Sequence, residues 1–256
     1  MMPVFFLGLT FAISLAGFAC IWAIPAARSP ETLIGLPFWL VMVWGPSLAA
    51  LIVSARNGQL SDLLARLIKV SSIPPEVWLL VVAPVLVLII LRPFAPDATS
   101  PLSVGMVIAV VGFNLILGPL GEELGWRGVL QEHLNQRFGW LEASLMVGGI
   151  WLVWHLPLWA IDSPHAQIAL PLFAVHVMLY AIIIGAAYTI SGGSILPAVM
   201  IHLTFNVAAN LAIFAGYKEA NAWFSMSIGP YVLLAIFACV FVYMRTGQSG
   251  LRWLPF

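Results

Sequence analysis

Apolar residues dominate the chain in long runs that short polar segments separate. Eight windows have the length and apolarity of membrane-crossing helices: residues 3–24, 36–55, 77–92, 104–130, 141–160, 167–190, 195–215 and 226–244. As a helix, a run of about 20 residues spans the hydrocarbon core of a bilayer. The pattern predicts an all-α, polytopic transmembrane bundle of about eight helices. A count of seven stays open, because the third window is short and the fourth contains two adjacent glutamates.

A different period occurs near residues 58–70, between the second and third windows. Apolar residues recur there at helical spacing and charged residues lie between them: Leu60, Leu63, Leu64, Leu67 and Ile68, with Asp62, Arg66 and Lys69. An amphipathic helix in the membrane interface has this pattern, and so does a helical surface connector. The chain contains no long linker or low-complexity segment. We therefore expect a single integral-membrane domain over residues 1–256.

Composition agrees with a membrane protein and argues against other classes. Charged residues make up 8% of the chain and hydrophobic residues 62%, and the mean hydropathy is +1.05. A soluble domain carries about a quarter charged residues. The net charge is zero and no basic cluster is interleaved with aromatic residues, so nucleic acid is not an expected partner. The expected partner is the lipid bilayer.

The basic residues are distributed unevenly between the two sides of the predicted bundle. With eight spans, both termini share one side, and the loops on that side hold Arg56, Arg66, Lys69, Arg127, Arg137, Arg245 and Arg252. The opposite loops hold Arg28, Arg92 and Lys218. By the positive-inside rule the termini are cytoplasmic. The short loops and compact size favour the plasma membrane of a prokaryote.

Ionisable and amide side chains inside the apolar windows are where we look for a functional site. An ionised side chain at the middle of a bilayer costs roughly 2.5 to 3.5 kcal/mol on insertion scales, so such residues usually face a bundle interior or a water-filled cavity. The residues in question are Glu122, Glu123, Arg127, His155, His176, His202, Asn206 and Asn210. We interpret His176 as a hydrogen-bonded histidine of the bundle. His133 and His165 lie in loops and carry no functional signal.

Helical spacing separates the roles of these residues. Glu123 and Arg127 stand at i and i+4, the favourable order for an ion pair, which leaves Glu122 without an obvious local partner. His202 and Asn206 have the same spacing and share one helix face. At about 1.5 Å per residue, Glu122 and His202 lie about 12 Å from the helix ends on the cytoplasmic side, and His155 can reach them. We expect a site in the cytoplasmic half of the bundle.

A kink or an opening of the helix is predicted just before Glu122. Pro119 removes one backbone hydrogen bond, and Gly118, Gly121 and Gly125 permit close approach of a neighbouring helix or of a peptide. Backbone opening would admit water to the site. An ordinary proline kink cushioned by small residues explains the same pattern, and the sequence favours neither interpretation.

A carboxylate, two histidines and an amide suffice to activate water against an amide carbonyl. In this hypothesis Glu122 takes a proton from water and passes it to the leaving amine, while His155 holds the water. His202 and Asn206 donate hydrogen bonds to the developing oxyanion. In a variant of the hypothesis, Glu122, His155 and His202 bind a divalent metal such as zinc. The sequence lacks an HExxH motif, so we favour the scheme without a metal.

Three motifs in register also resemble a known family. They are Glu-Glu-x-x-x-Arg at 122–127, Trp-x-x-x-His at 151–155 and His-x-x-x-Asn at 202–206. In this order they resemble the CAAX protease and bacteriocin-processing family of intramembrane endopeptidases, also called the Abi or Rce1-like group. The resemblance covers residues 115–210, and we place the motif-bearing catalytic core at about 104–215.

The resemblance implies a peptidase that cleaves a peptide bond in a membrane-associated peptide or protein. It assigns Glu122 and His155 to a water-activating pair, and His202 with Asn206 to an oxyanion-binding or metal-supporting pair. Glu123 and Arg127 become supporting residues. One departure is the tryptophan at 151, where the family usually has phenylalanine. We expect the bulkier indole to narrow the pocket beside His155.

Two other classes of membrane protein also have to be considered. A proton-coupled transporter usually shows internal repeats or paired broken helices, whereas we see no repeat in this chain and no charge in the interior of its first three apolar windows. A non-catalytic immunity or scaffold protein of the same fold would keep the spans and lose the motif residues. All the motif residues are present, which favours an active enzyme.

Overall fold

The computed structural model describes residues 2–95, 103–161, 163–214 and 219–251. Its helices are α1 (Met2–Ala23), α2 (Gly35–Arg56), α3 (Leu60–Leu67), α4 (Val77–Leu91), α5 (Val104–Ile116), α6 (Pro119–Gly125), a π-helical turn (Trp126–Gln131), α7 (Glu132–Asn135), α8 (Trp140–His155), α9 (Leu170–Ile190), α10 (Leu196–Ala212) and α11 (Ala220–Thr246). Short 3-10 turns connect some of them, and within these ranges there is no β-strand. The predicted all-α class is confirmed.

The apolar windows of the sequence coincide with the long helices. Seven helical stretches in the described ranges are long and apolar enough to cross a membrane: Pro3–Ala23, Gly35–Arg56, Val77–Phe94, Val104–Asn135, Trp140–Ala160, Leu170–Ile190 and Ala220–Thr246. The remaining predicted window is α10, an apolar helix of 17 residues. Buried residues lie around most of the circumference of α10, so it is an interior helix of the bundle. The chain is a multi-pass integral membrane protein.

The fourth predicted window, 104–130, is not one continuous helix. It breaks between α5 and α6 at Leu117 and Gly118, because Pro119 has no N–H and its ring clashes with the preceding turn. Side chains of α2 satisfy two of the carbonyls at this break. Trp44 Nε1 donates to Ile116 O at 2.8 Å, and Ser47 Oγ donates to Leu120 O at 2.9 Å. The break is therefore bonded to the neighbouring helix.

Close contact between α2 and α6 fixes the direction in which the two glutamates face. A methyl group on Gly125 would lie 2.6 Å from the Pro46 carbonyl oxygen, and one on Gly121 would lie 2.9 Å from the Val43 carbonyl oxygen. Only glycine permits the two backbones to approach this closely. With the glycine face of α6 against α2, Glu122 and Glu123 are directed into the bundle, where both are buried.

The amphipathic segment near 58–70 forms the short helix α3. Leu63 is buried against the bundle, while Leu64 and Ile68 are exposed. Arg66 of α3 donates to Gly128 O at 2.6 Å and to the Tyr188 hydroxyl at 2.9 Å. Ile195 N in turn donates to Arg66 O at 2.9 Å. The predicted helix is confirmed, and it docks on one end of the bundle by hydrogen bonds as well as by its apolar face.

Candidate active site

Glu122 projects from the first turn of α6 and is 4% exposed. Its Oε2 accepts a hydrogen bond from Trp151 Nε1 at 2.6 Å and another from Trp126 Nε1 at 3.3 Å. Among the described residues, none donates to the other oxygen, Oε1. The expectation that Glu122 lacks a local partner is therefore corrected. It has no ion pair in the described ranges, but two neutral indoles orient one of its oxygens.

Glu123 is the centre of a buried charged cluster. Arg127 Nη1 lies 3.0 Å from each carboxylate oxygen, and both side chains are fully buried. The i to i+4 ion pair predicted from spacing is confirmed. His202 Nδ1 lies 2.7 Å from Glu123 Oε1, a contact that the sequence did not indicate. Because a carboxylate only accepts, Nδ1 carries the hydrogen and Nε2 is the nitrogen left for other partners.

Trp151 of α8 connects the two glutamates. Its indole N–H bonds to Glu122, the Arg127 guanidinium carbon lies 5.1 Å from its ring centroid, and its ring centroid lies 5.0 Å from that of His202. A cation over an indole face is attracted by the ring quadrupole. The sequence led us to expect only added bulk at this position. The structure adds a hydrogen-bond donor, which a phenylalanine would lack.

His155 is the last residue of α8 and is 8% exposed. Its Nδ1 lies 2.8 Å from the Trp151 carbonyl oxygen, so Nδ1 donates and the neutral ring presents Nε2 as an acceptor. Aromatic rings enclose it, with centroid distances of 4.7 Å to Trp154 and 5.1 Å to Phe173. The imidazole is thus held in one orientation beside the cavity described next.

A cavity of about 240 Å³ brings the predicted catalytic residues together. Glu122, His155, His202 and Asn206 all line it, whereas Glu123 and Arg127 do not. The remaining lining is mainly apolar and aromatic, and includes Trp39, Met42, Leu117, Phe173, Val177 and Phe205. The four residues predicted to be catalytic therefore share one cavity, and the two predicted to be supporting lie behind its wall.

The cavity lies in the half of the bundle away from α3. It extends to Pro30 and His165, while Arg56, Gly139 and Gly250 stand at the other end, where the backbones of Leu141 and Gly250 are bonded. The estimated depth of Glu122 was too small because the helical stretch continues to Asn135 instead of ending at Leu130. The position of the site relative to the cytoplasm stays a prediction.

His165 lines the cavity although the sequence assigned it no role. A 3-10 turn, Pro164–Gln167, places its ring centroid 5.7 Å from that of His155 and 5.6 Å from that of Phe173. Burial lowers the pKa of His165 to about 4, so it is neutral near pH 7. Its Nδ1 is buried with no hydrogen-bond partner among the described residues. Hydrophobic periodicity cannot detect a residue on a single turn between two spans.

Three amides form part of the same cavity wall: Asn114 of α5 and Asn206 and Asn210 of α10. Asn206 meets the helix break, since a methyl group on Gly118 would lie 2.9 Å from its Nδ2. Asn210 Nδ2 donates to Asn114 Oδ1 at 3.1 Å and to Asn206 O at 2.9 Å. Asn114 was missed in the sequence, although the rule that singled out polar groups in apolar windows applies to it.

His176, by contrast, is the bundle histidine that we expected. Its Nδ1 lies 2.8 Å from Leu172 O and its Nε2 lies 3.0 Å from Ser227 Oγ. As for a metal, the described residues contain no group of three or more His, Cys, Asp or Glu side chains arranged to hold an ion. Glu122, His155 and His202 line one cavity without forming such a cluster, so we derive no step through zinc.

Comparison with known proteins covers this part of the chain. Residues 104–208 match the family described as type II CAAX prenyl endopeptidase Rce1-like. The CAAX prenyl protease 2 of Methanococcus maripaludis is 32% identical to the chain over 126 residues, 45% of this chain and 46% of that protein. The match thus spans about half the length of the relative. All three motifs lie within 104–208, the part of the chain that is similar to the Rce1-like family of type II CAAX prenyl endopeptidases.

Proposed function

We propose that the chain is an intramembrane endopeptidase that hydrolyses a peptide bond in a membrane-associated peptide or protein. One observation carries the proposal: a carboxylate lines an intramembrane cavity, with one oxygen held by two indoles and the other without a donor in the described ranges. That arrangement orients Oε1 of Glu122 as a base. The similarity of residues 104–208 to the Rce1-like CAAX prenyl endopeptidase family supports the same activity.

In the proposed reaction, Glu122 takes a proton from a water molecule as the water oxygen bonds to the carbonyl carbon of the substrate. The tetrahedral intermediate then collapses, the carbon–nitrogen bond breaks, and Glu122 returns the proton to the leaving amine. His155 orients the water by accepting a hydrogen bond at Nε2, because its Nδ1 is engaged by the Trp151 carbonyl.

His202 and Asn206 would stabilise the oxyanion of the intermediate. His202 can donate from Nε2 only in its doubly protonated form, since its Nδ1–H already bonds to Glu123. The proposed oxyanion role therefore requires His202 in that form, in which Glu123 at Nδ1 is its counterion. Asn206 adds an uncharged donor from the next turn of α10.

Glu123 and Arg127 act as supporting residues in this scheme. The pair lies behind the cavity wall and fixes His202 through Glu123 Oε1. Preorganised donors stabilise a developing charge better than mobile ones. The metal-dependent alternative, in which zinc would polarise the substrate carbonyl, is tested by metal analysis of purified protein. One tightly held zinc per chain in the purified protein would favour the metal-dependent mechanism over the one described above.

The activity is tested by comparing peptides released from membranes that contain the wild-type protein or the Glu122→Gln variant. The substitution is nearly isosteric and keeps the acceptor oxygen for Trp151. We expect peptides that appear with wild type and are absent with Glu122→Gln, with equal protein levels in the membrane. Glu219→Gln is the matched control, because Glu219 is exposed and lies outside the cavity lining.

Identical peptide patterns for wild type and Glu122→Gln would remove Glu122 from the mechanism. They would favour a non-catalytic protein of the same fold. The sequences of the released peptides would also identify the substrate and show whether it is lipidated. A pattern that changes equally with Glu219→Gln would have to be attributed to altered expression.

A further inference from the structure

A row of three amides runs along one wall of the cavity, next to the proposed catalytic residues. We call Asn114, Asn206 and Asn210 the amide ledge. Asn206 and Asn210 stand at i and i+4 on α10 and thus on one face of it, and Asn114 meets them from α5. All three are half-buried and line the cavity. Only Asn206 belongs to the motifs seen in the sequence.

The hydrogen bonds within the ledge leave specific groups available. Asn210 uses both amide hydrogens, one on Asn114 Oδ1 and one on Asn206 O, which leaves its Oδ1 as an acceptor. Asn114 uses one hydrogen on Val110 O. No hydrogen bond to the side-chain amide of Asn206 occurs among the described residues. The ledge therefore offers at least one donor and two acceptors to the cavity.

Most of the remaining cavity lining cannot hydrogen-bond to these groups. Its lining is mostly apolar, with residues such as Met42, Leu117 and Phe173. A polar group in an apolar surrounding is costly unless it is hydrogen-bonded. A peptide that enters the same cavity needs hydrogen-bond partners as well, because its backbone N–H and C=O groups lose water there. Its apolar side chains can contact the rest of the lining.

Spacing matches the ledge to an extended chain. Residues i and i+4 of a helix are about 6 Å apart along the axis. In an extended peptide, residues i and i+2, whose backbone groups point to the same side, are about 6.6 Å apart. We propose that the amide ledge binds the backbone of an extended substrate peptide, with Asn206 at the scissile carbonyl and Asn210 accepting an N–H two residues away. The proposal rests on the proposed endopeptidase function.

Binding is measured first, without turnover, in the Glu122→Gln background. The probe is a pool of fluorescent peptides of about ten residues, randomised among leucine, valine, phenylalanine and alanine, with purified protein in detergent. We expect Asn210→Ala to weaken binding of the pool roughly tenfold, the effect of losing hydrogen bonds in a desolvated site. Asn57→Ala is the matched control, because Asn57 also bonds to the carbonyl four residues earlier but lies outside the cavity lining.

The position of the contact is tested by methylating single backbone nitrogens of a peptide drawn from the bound fraction of the pool. Methylation of the nitrogen that faces Asn210 should weaken binding to Glu122→Gln roughly tenfold. The same methylation should not weaken binding further when Asn210→Ala is added to that variant. Turnover is then measured with an internally quenched form of the same peptide and with Glu122 intact. We expect Asn210→Ala to raise KM and to leave kcat within about twofold of the wild-type value.

Three results would contradict the proposal that the amide ledge binds the substrate backbone. They are unchanged binding in a folded Asn210→Ala variant, additive losses from every methylated position, and no binding of the pool by any variant. The ledge and the catalytic proposal can fail separately. Equal turnover by wild type and Glu122→Gln contradicts the catalytic role alone, while a loss of binding in Asn210→Ala still supports the ledge.

Discussion

At the scale of single residues, adjacent carboxylates have unlike surroundings. Glu123 is ion-paired with Arg127 and hydrogen-bonded to His202, while Glu122 is held by uncharged donors. A charge in an ion pair is stabilised in place, whereas a carboxylate that meets only indoles keeps an oxygen for chemistry. The difference arises from position on the helix, because one residue of displacement turns the side chain by about 100°.

Replacement of Trp151 by phenylalanine separates the indole N–H from the ring. We expect Trp151→Phe to lower turnover roughly tenfold or more, the effect of removing a hydrogen bond to a charged group. The aromatic surface under Arg127 and beside His202 is kept, so the thermal midpoint should change little. Turnover and thermal unfolding are measured on the same preparations.

A matched control for this substitution is Trp159→Phe. Trp159 donates its indole N–H to Ile168 O at 3.0 Å, away from either glutamate. Loss of this hydrogen bond in Trp159→Phe should leave turnover nearly unchanged. If Trp151→Phe is as active as wild type, the indole is a packing residue and does not position Glu122.

Acidification should destabilise the folded protein through His165. The pKa of His165 is lowered from 6.5 to about 4 by burial, so between these values the unfolded chain binds more protons than the folded chain. Stability is therefore lost as the pH falls from about 6.5 to about 4, and this contribution changes no further below that range. The thermal midpoint of wild type should fall more over this range than that of His165→Gln. Equal falls would contradict the assignment.

At the scale of helices, the π-helical turn Trp126–Gln131 depends on α3. The turn leaves the Gly128 carbonyl for Arg66 Nη2 at 2.6 Å, and Arg66 also bonds to Tyr188, which in turn donates to Glu132. Insertions of this kind are common near functional sites. Arg127 lies within the turn, so α3 stabilises the segment that supports His202.

Loss of Arg66 should loosen this turn. In Arg66→Gln we expect faster hydrogen exchange at the amides of residues 126–131 and turnover lowered roughly fivefold, since the charge-assisted hydrogen bonds of Arg66 to Gly128 O, Tyr188 and Glu132 are removed. Lys69→Gln is the control, because the exposed Lys69 side chain donates at 3.4 Å to the Gly192 carbonyl and has no other hydrogen-bond partner among the described residues. Unchanged exchange in Arg66→Gln, with protection equal to that of Lys69→Gln, would show that the turn is stable without α3.

The sequence predicted helices better than it predicted their interruptions. Apolar windows locate the spans because twenty apolar residues have few alternatives in lipid. The break before Glu122 follows from Pro119 and was predicted, but the side chains that satisfy its carbonyls, Trp44 and Ser47, lie more than sixty residues earlier. An inserted π turn shifts the hydrophobic period by only one residue. Local spacing paired Glu123 with Arg127 correctly. The bonds of Glu122 to Trp151 and of Glu123 to His202 join different helices, so no spacing rule could predict them.

At the scale of the whole molecule, the cavity extends to the end of the bundle opposite the basic loops. Pro30 and His165 line the cavity at one end, and Arg56, Arg66 and Lys69 lie at the other. The positive-inside rule assigns the basic end to the cytoplasm. Substrate would then enter from the opposite side, or laterally from the outer half of the bilayer.

Labelling of single cysteines tests this orientation. In a background with Cys20→Ala and Cys239→Ala, an impermeant maleimide should label Glu31→Cys in intact cells and Asp62→Cys only after lysis, since both positions are exposed at opposite ends. The reverse pattern would place the cavity on the cytoplasmic side and show that the loop charges do not determine topology in this chain.

The bond between Glu122 and Trp151 also constrains the order of events during synthesis. The ribosome completes α6 before it makes Trp151 or His202, so the fourth span enters the membrane with both glutamates still lacking these partners. Each uncompensated charge opposes insertion by a few kcal/mol. The apolar residues of α5 must therefore supply the free energy that inserts this span. Helices α8 and α10 then pack around it afterwards. A nascent chain stopped before Trp151 would leave its most polar helix unassembled and open to quality-control proteases.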